Sequence, residues 1–417
     1  MASTKRVVVT GYGAICSLGE NSSEIWSNIL DKKIGYRIHE FADKRIKAKF
    51  YGFMDTNKSR YKGYPKGLIR RLPEFARLSL VAASEAVTMA FSGVSPSDIY
   101  SPFDCGVIVG TGWGGMDTVN ENNNEYVRTQ FGGPYTTIQS MNNAGTAGIS
   151  MHFKLRGYQS TPIAACASGG IAIGEALQVI RRGDALCMLA GGSESLKEQF
   201  NVWSVDVLEA LSKEPTDPVK ACCPFGMGRS GFVLSEGAAV LCLEEFESAV
   251  RRGAKIFAEV SGYGNSTDAF DFTAPAPDAQ GRVQSMRRTL ASAGILPDEI
   301  DYVNAHGTST QLNDYNESQS IKEALGSWAS KVKISSTKSY TGHLIGAAGA
   351  IESIFCIKAI EQNVIPATIN LTEPDPLCDL DFTPNEHVMQ AKIDRCLNLS
   401  FGFGGANSGL IINRVVS

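Results

Sequence analysis

The chain repeats a pattern of its own. Val9-Thr10-Gly11-Tyr12-Gly13 returns as Val260-Ser261-Gly262-Tyr263-Gly264. Gly93-Val94-Ser95-Pro96-Ser97-Asp98-Ile99 returns as Gly294-Ile295-Leu296-Pro297-Asp298-Glu299-Ile300. Each member of the second pair follows an Ala-rich helical stretch and precedes an apolar, strand-like run. A third echo sets Cys166 against His343, each ahead of a Gly/Ala-rich helix. Self-similarity of this kind marks a duplicated unit. Helical and strand-like stretches alternate, so each unit reads as α/β, a mixed sheet with packed helices. The echoes are unequally spaced, so one half carries insertions; the polar stretches Asp117–Gly133 and Glu194–Arg229 are the candidates. The boundary falls near Arg251–Ala254, giving halves 1–253 and 254–417.

Within this frame Cys166 occupies a distinctive place. It stands in Pro-Ile-Ala-Ala-Cys-Ala-Ser-Gly-Gly (Pro162–Gly170), directly before a run with Ile173, Leu177 and Ile180 at helical spacing and Gly183 as a stop. A thiol at a helix N-terminus faces unpaired N–H groups and the positive end of the helix dipole, which favour the thiolate. A nucleophile and a small buried hydrophobe both fit this local context. Two of the five histidines fall in Gly-flanked polar turns after short apolar runs. His306 follows Ile300–Val303 and His343 follows Val332–Ser336. Each therefore sits beyond the C-terminal end of a strand, where open α/β sheets place their sites. His39, His152 and His387 lack that setting and read as structural or surface residues. Two α/β halves whose strand ends face one pocket would gather Cys166 from one half with His306 and His343 from the other.

Composition narrows the classes. Apolar content of 43% and charged content of 20% describe a globular chain. A formal charge of −4 speaks against nucleic acid as the main partner. No apolar run approaches the ~18 residues of a membrane span. Met-Ala-Ser-Thr-Lys-Arg at the start lacks a signal-peptide layout. The ten cysteines are scattered, with neither a zinc quartet nor a disulfide framework, which fits a reducing cytoplasm.

These motifs resemble the beta-ketoacyl-[acyl carrier protein] synthases, the condensing enzymes of the thiolase superfamily. The likeness runs from Val-Val-Val-Thr-Gly-Tyr-Gly through the Cys-Ala-Ser-Gly elbow, His-Gly-Thr-Ser-Thr (His306–Thr310) and Lys-Ser-Tyr-Thr-Gly-His (Lys338–His343) to Gly-Phe-Gly-Gly (Gly402–Gly405), in family order. It implies a five-layered αβαβα thiolase-like sandwich, a dimer, and a catalytic set of Cys166, His306 and His343. It further implies an oxyanion hole from the N–H groups of Cys166 and Phe403. Lys338 and Glu317 stand behind the histidines, the lysine holding them neutral and the glutamate pairing with the lysine. Thr308, Thr310 and Thr273 would bond the amides of phosphopantetheine, and Phe403 would gate the acyl pocket. Substrates arrive on an acyl carrier protein, with no metal and no bound cofactor. Lys66, Arg70 and Arg71 form a basic segment that either docks that acidic carrier or is a solvated helix face.

Two departures from fatty-acid-elongating members bear on the pocket. Trp113 stands in Gly110–Gly115 where the family commonly has a smaller aliphatic residue. Phe200, Val202, Trp203 and Val205 replace a Gly-richer stretch near the dimer interface. An indole at the pocket floor shortens the pocket within the subunit, so Trp113 and Val205 are expected to limit the acyl chain. The growing product is then short, or runs toward a partner. That leans to a type II polyketide or polyene ketosynthase paired with a chain-length-factor subunit; a homodimeric fatty-acid-elongating synthase is the alternative. Asp271 stands where many members carry histidine. Other classes fit less well. Gly110–Gly115 matches a dinucleotide fingerprint, but no strand ending in an acidic residue follows. A degradative thiolase lacks the paired histidine motifs. A non-catalytic chain-length subunit would not keep Cys166 with both histidines.

Overall fold

The computed structural model describes residues 5–55 and 57–415; residues 1–4, where the absence of a leader was read, lie outside them. In the first half the strands are β1 (Val7–Cys16), β2 (Arg37–Ile38), β3 (Phe50–Gly52), β4 (Cys105–Gly110), β5 (Gln159–Ser160), β6 (Cys187–Glu194), β7 (Leu234–Ser235) and β8 (Gly237–Glu245). The second half holds β9 (Ala258–Thr267), β10 (Tyr302–Asn304), β11 (Lys333–Ser335), β12 (Arg395–Gly402) and β13 (Ala406–Asn413). Ten of these form one mixed sheet in the order β11-β10-β12-β13-β9-β1-β8-β6-β4-β5. Read outward from the middle, β9-β13-β12-β10-β11 and β1-β8-β6-β4-β5 are the same topology twice. The seam is slight: β1 meets β9 only at Val8–Glu259 and Val9–Ala258. A short three-stranded sheet, β2-β3-β7, lies apart.

Helices Ser168–Arg182 and Ala348–Gln362 pack on each other and on strands of both halves, so they form a central layer. Glu74–Phe91 and Ala144–Phe153 cover the outer face of the first half-sheet. Gln280–Ala293 covers that of the second, with Gln311–Leu325 packed against it. The result is the expected five-layered arrangement. The echoed glycines explain themselves here. A Cβ on Gly13 of β1 would stand 2.2 Å from the Ala82 carbonyl oxygen, and one on Gly264 of β9 would stand 2.2 Å from that of Ser285. Both halves use bare strand positions to bring an outer helix onto the sheet. We expect Gly264→Ala to lower stability by about 3 kcal/mol, as overpacking against backbone does, and a thermal melt reads it.

Two expectations change. The third echo is out of register by three residues. The turn Ala165–Ala167 and its helix match Ile345–Ala347 and its helix, with Ala165 and Ile345 both at positive φ (46° and 49°). Cys166 therefore corresponds to Gly346, not to His343. Secondly, one helical stretch, Glu74–Asp98, is apolar and long enough to cross a membrane by length and composition. Half of it is buried inside the protein, where Ala82, Ala83, Ala86 and Val87 pack against the sheet.

Candidate active site

Cys166 is the middle residue of the Ala165–Ala167 turn, directly ahead of the helix beginning at Ser168. The turn is held by the Ser168 hydroxyl, which accepts from the Ala164 N–H (2.9 Å) and reaches the Ala165 and Thr111 carbonyls (2.7 and 3.0 Å). The sulfur is buried, and burial pushes its thiol up to about 12. The charge of Lys338 and the N–H groups of Phe403 and Cys166 itself pull the other way. The helix-end stabilisation expected from sequence is thus outweighed by desolvation, and the resting group is a thiol.

The histidines come from the second half. His306 follows β10, and its turn is fixed by Glu317, whose two oxygens accept the N–H groups of His306 and Gly307 (2.7 Å each). His343 does not follow β11 directly; the one-turn helix Lys338–Thr341 intervenes. Its backbone pairs with the strand around β7, through His343 N–H to Val233 O (2.7 Å) and Ser235 N–H to His343 O (3.0 Å). The two rings stand 5.3 Å apart, nearly perpendicular. Donor atoms of Cys166, His306 and His343 lie within 4.8 Å of one another. A cation could be accommodated by such spacing, but Lys338 already places an ammonium 3.4 Å from His306 Nδ1.

Hydrogen bonding fixes the tautomers. Ile345 N–H donates to His343 Nδ1 (3.2 Å), so the proton of that ring sits on Nε2. Nε2 is buried without a protein partner. An ammonium only donates, so Nδ1 of His306 accepts from Lys338 and its Nε2 carries the proton. Burial first, and Lys338 second, lower both histidines well below the usual range. Both are neutral donors at neutral pH.

The expected Lys338–Glu317 pair does not form. Lys338 Nζ pairs with Glu352 Oε1 at 2.5 Å, because Glu317 is already committed to two backbone amides. Glu352 is raised to about 7 by burial, with Lys338 opposing the shift. A lone acid in the apolar run Gly349–Phe355 was the signal for it, since buried carboxylates need partners. Glu194, at the end of β6, was also missed. It accepts from Gly112, Trp113 and Gly346 N–H (2.7, 3.3 and 3.3 Å) and ties the Trp113 loop to the turn after His343.

A cavity of about 300 Å³ opens onto Cys166, His306 and His343. Thr308, Thr310 and Phe403 line it, with Thr273 at its margin in an exposed turn capped by Asp271. The hydroxyls of Thr308 and Thr310 are 2.9 Å apart. Cys166 also belongs to an apolar cluster with Val202, Val205, Phe232 and Ile345, against which Trp113 and Phe403 pack. Of these, Phe232 and Phe403 line the cavity and Trp113 and Val205 do not. Lys66 and Arg70 are elsewhere. They line a separate cleft beyond Gly114, in company with Glu74, Asp117 and Glu198, while Arg71 lies over Tyr135. None of Lys66, Arg70 and Arg71 lines the cavity at Cys166. His39 sits among the rings of Phe41, Tyr51 and Phe53. His152 packs on Tyr64 and Phe153, and His387 accepts from Ala367 N–H, so all three are structural.

The family models for the N-terminal and C-terminal domains of beta-ketoacyl synthase match residues 4–249 and 257–372. The chain is 38% identical over 418 residues to 3-oxoacyl-[acyl-carrier-protein] synthase 2 of Coxiella burnetii, covering 99% of both. A type II polyketide ketosynthase, solved with its acyl carrier protein and bound to the hexaketide, superposes with a TM-score of 0.91 at 31% identity, covering 99% of this chain and 100% of that one. The ishigamide ketosynthase/chain length factor gives 0.89 at 30%, with the same coverage. The chain belongs to the beta-ketoacyl synthase family of carbon–carbon bond-forming acyltransferases.

Proposed function

We propose that Cys166 takes an acyl group from an acyl carrier protein and that His306 and His343 drive its condensation with a malonyl thioester. The carrying observation is the unpartnered, protonated Nε2 of His343 beside a second neutral donor ring and a buried thiol. In the loading step the sulfur attacks the thioester carbonyl and the pantetheine thiolate leaves. Neither imidazole has a free lone pair, so the thiol proton ends on the departing pantetheine sulfur. The N–H groups of Cys166 and Phe403, both directed at the sulfur, hold the developing oxyanion. In the second step the malonyl thioester loses CO₂, and the enolate oxygen is held by the two ring N–H groups. Its carbon attacks the acyl-Cys carbonyl and expels the Cys166 thiolate, which takes up one proton from water, the proton that the loss of CO₂ from a carboxylate leaves to be supplied. Thr308, Thr310 and Thr273 would bind the pantetheine arm, and Phe403 would gate the way to the apolar cluster.

The pocket supports a short chain or one that leaves the subunit. Neither Trp113 nor Val205 lines the cavity itself. Val205 belongs to the apolar cluster that includes Cys166, and Trp113 packs against that cluster, where a longer acyl chain would have to enter. Solved relatives of this fold include ketosynthases with chain length factors. These features favour a polyketide or polyene ketosynthase with a second, chain-length subunit. The full-length match to a 3-oxoacyl synthase 2 favours the other reading, a homodimeric fatty-acid elongating enzyme. Lys66, Arg70 and Arg71 keep the role of carrier docking only if a partner subunit brings them near its neighbour's cavity. Ten free cysteines, all buried, suit a reducing cytoplasm. The chain divides near residue 253 into its two halves.

The test is reconstitution with malonyl-loaded carrier protein and a starter series, alone and with a co-purifying subunit, read by mass spectrometry. Trp113→Ala is expected to raise kcat/KM for long over short acyl starters by about ten-fold or more, since each buried methylene contributes roughly 1 kcal/mol. An unchanged ratio removes Trp113 from the pocket floor.

A further inference from the structure

Arg282 is a charged side chain that the fold leaves short of partners. It lies on helix Gln280–Ala293, in the apolar face shared with Val283, Met286 and Leu290, and is only 5% exposed. Its guanidinium lines the same cavity as Cys166 and His306. Five N–H donors meet one protein acceptor: Nη1 reaches the Asn313 carbonyl at 3.3 Å. Nε is buried and unpaired. Among the described residues no carboxylate comes within ion-pair distance. Glu317, Asp268 and Asp314 are near enough to act through space, but each is engaged by other donors: the His306 and Gly307 amides, Asn407, and the Phe225 amide.

Stacking does not satisfy those donors. Arg282 lies 4.4 Å over the Phe401 ring, and that ring packs edge-on to His306 at 5.8 Å. One aromatic side chain therefore touches both the guanidinium and the imidazole. A buried guanidinium keeps its charge, and leaving it desolvated without an anion costs several kcal/mol. Such a group calls for an anionic visitor. Acyl thioesters and pantetheine amides are neutral, whereas the malonyl thioester carries a carboxylate one carbon from the carbonyl that His306 and His343 would hold.

We infer that Arg282 binds the malonyl carboxylate and so selects the extender unit. This rests on the condensing reading given above. The carboxylate is lost as neutral CO₂, so its bond to Arg282 weakens on the way to the transition state. The interaction therefore acts mainly on substrate binding rather than on turnover.

The test separates the two half-reactions with Arg282→Met and Arg282→Lys. Single-turnover acylation of Cys166 by acyl-carrier protein, without malonyl groups, should stay within about three-fold of the parent in both variants. The KM for malonyl-carrier protein should rise about ten- to a hundred-fold in Arg282→Met with kcat little changed, and should partly recover in Arg282→Lys. Equal losses in both half-reactions would assign Arg282 to the pantetheine arm or to the seating of Phe401, and unchanged kinetics would leave it no role; either overturns the inference. Should Arg282→Met fail to fold, the parent protein decides. Free malonate should slow iodoacetamide alkylation of Cys166 where propionate does not, and equal effects of the two overturn the proposal. Failure of the condensing reading looks different, because the parent would then not become acylated at Cys166 at all.

Discussion

Cys166→Ala will form no acyl-enzyme, and condensation will fall by about 10⁴-fold or more, the scale seen when a nucleophile is removed from an otherwise intact site. Intact-protein mass spectrometry after incubation with acyl-carrier protein reads the first effect directly. Acyl mass retained by the variant would move the nucleophile elsewhere. Buried alternatives exist: nine other cysteines are free thiols. Among them only Cys223 comes near the mouth region, lining a neighbouring cleft rather than the cavity. The thiol also has a pH signature. Because burial lifts Cys166 to about 12, its alkylation by iodoacetamide should climb steadily with pH across the range in which the protein is folded. A resting thiolate would instead give a rate that is flat above neutrality.

His343→Ala and His306→Ala should split the reaction. Both rings are set as donors, Nδ1 of each being occupied by a donor from the protein, so neither serves as a base in loading. Acylation of Cys166 should then stay within about ten-fold of the parent, while malonyl decarboxylation and condensation fall by about 10²–10³-fold, the usual loss for an oxyanion donor. Release of CO₂ from malonyl-carrier protein and single-turnover acylation, measured side by side, decide it. Equal losses in both steps would give the histidines a basic role that the hydrogen bonding denies them. His343 should show the cleaner split, since its free Nε2 has no protein partner and its backbone stays paired with the β7 strand after truncation.

What could be read from residues alone followed local geometry. Gly11, Gly13, Gly262 and Gly264 repeat because each half needs bare strand positions under a helix, so the duplication stood in plain view. Cys166, His306 and His343 were legible because Gly-flanked turns mark them, although only His306 directly follows a strand. Choices between equivalent partners were not legible. Glu317 and Glu352 are both helical acids, and only the fold shows that one is consumed by backbone amides while the other meets Lys338. Arg282 sits between apolar neighbours but close to Arg287 and Arg288, which makes its helix look solvated. Its four-residue spacing from Met286 was the available clue. The backbone N–H groups that favour the thiolate are visible in sequence as a helix end, while the depth of burial that outweighs them is not.

The twin of the nucleophile turn shows why duplication ended in asymmetry. Gly346 holds the place matching Cys166, yet a side chain there would strike the Gly112 nitrogen at 2.6 Å and the Thr111 Cα at 2.7 Å. At this turn the two halves share the backbone bend but not the side chain. Gly346→Cys would therefore have to displace the Thr111–Gly112 backbone, so the second bend has no room for a thiol where the first carries one.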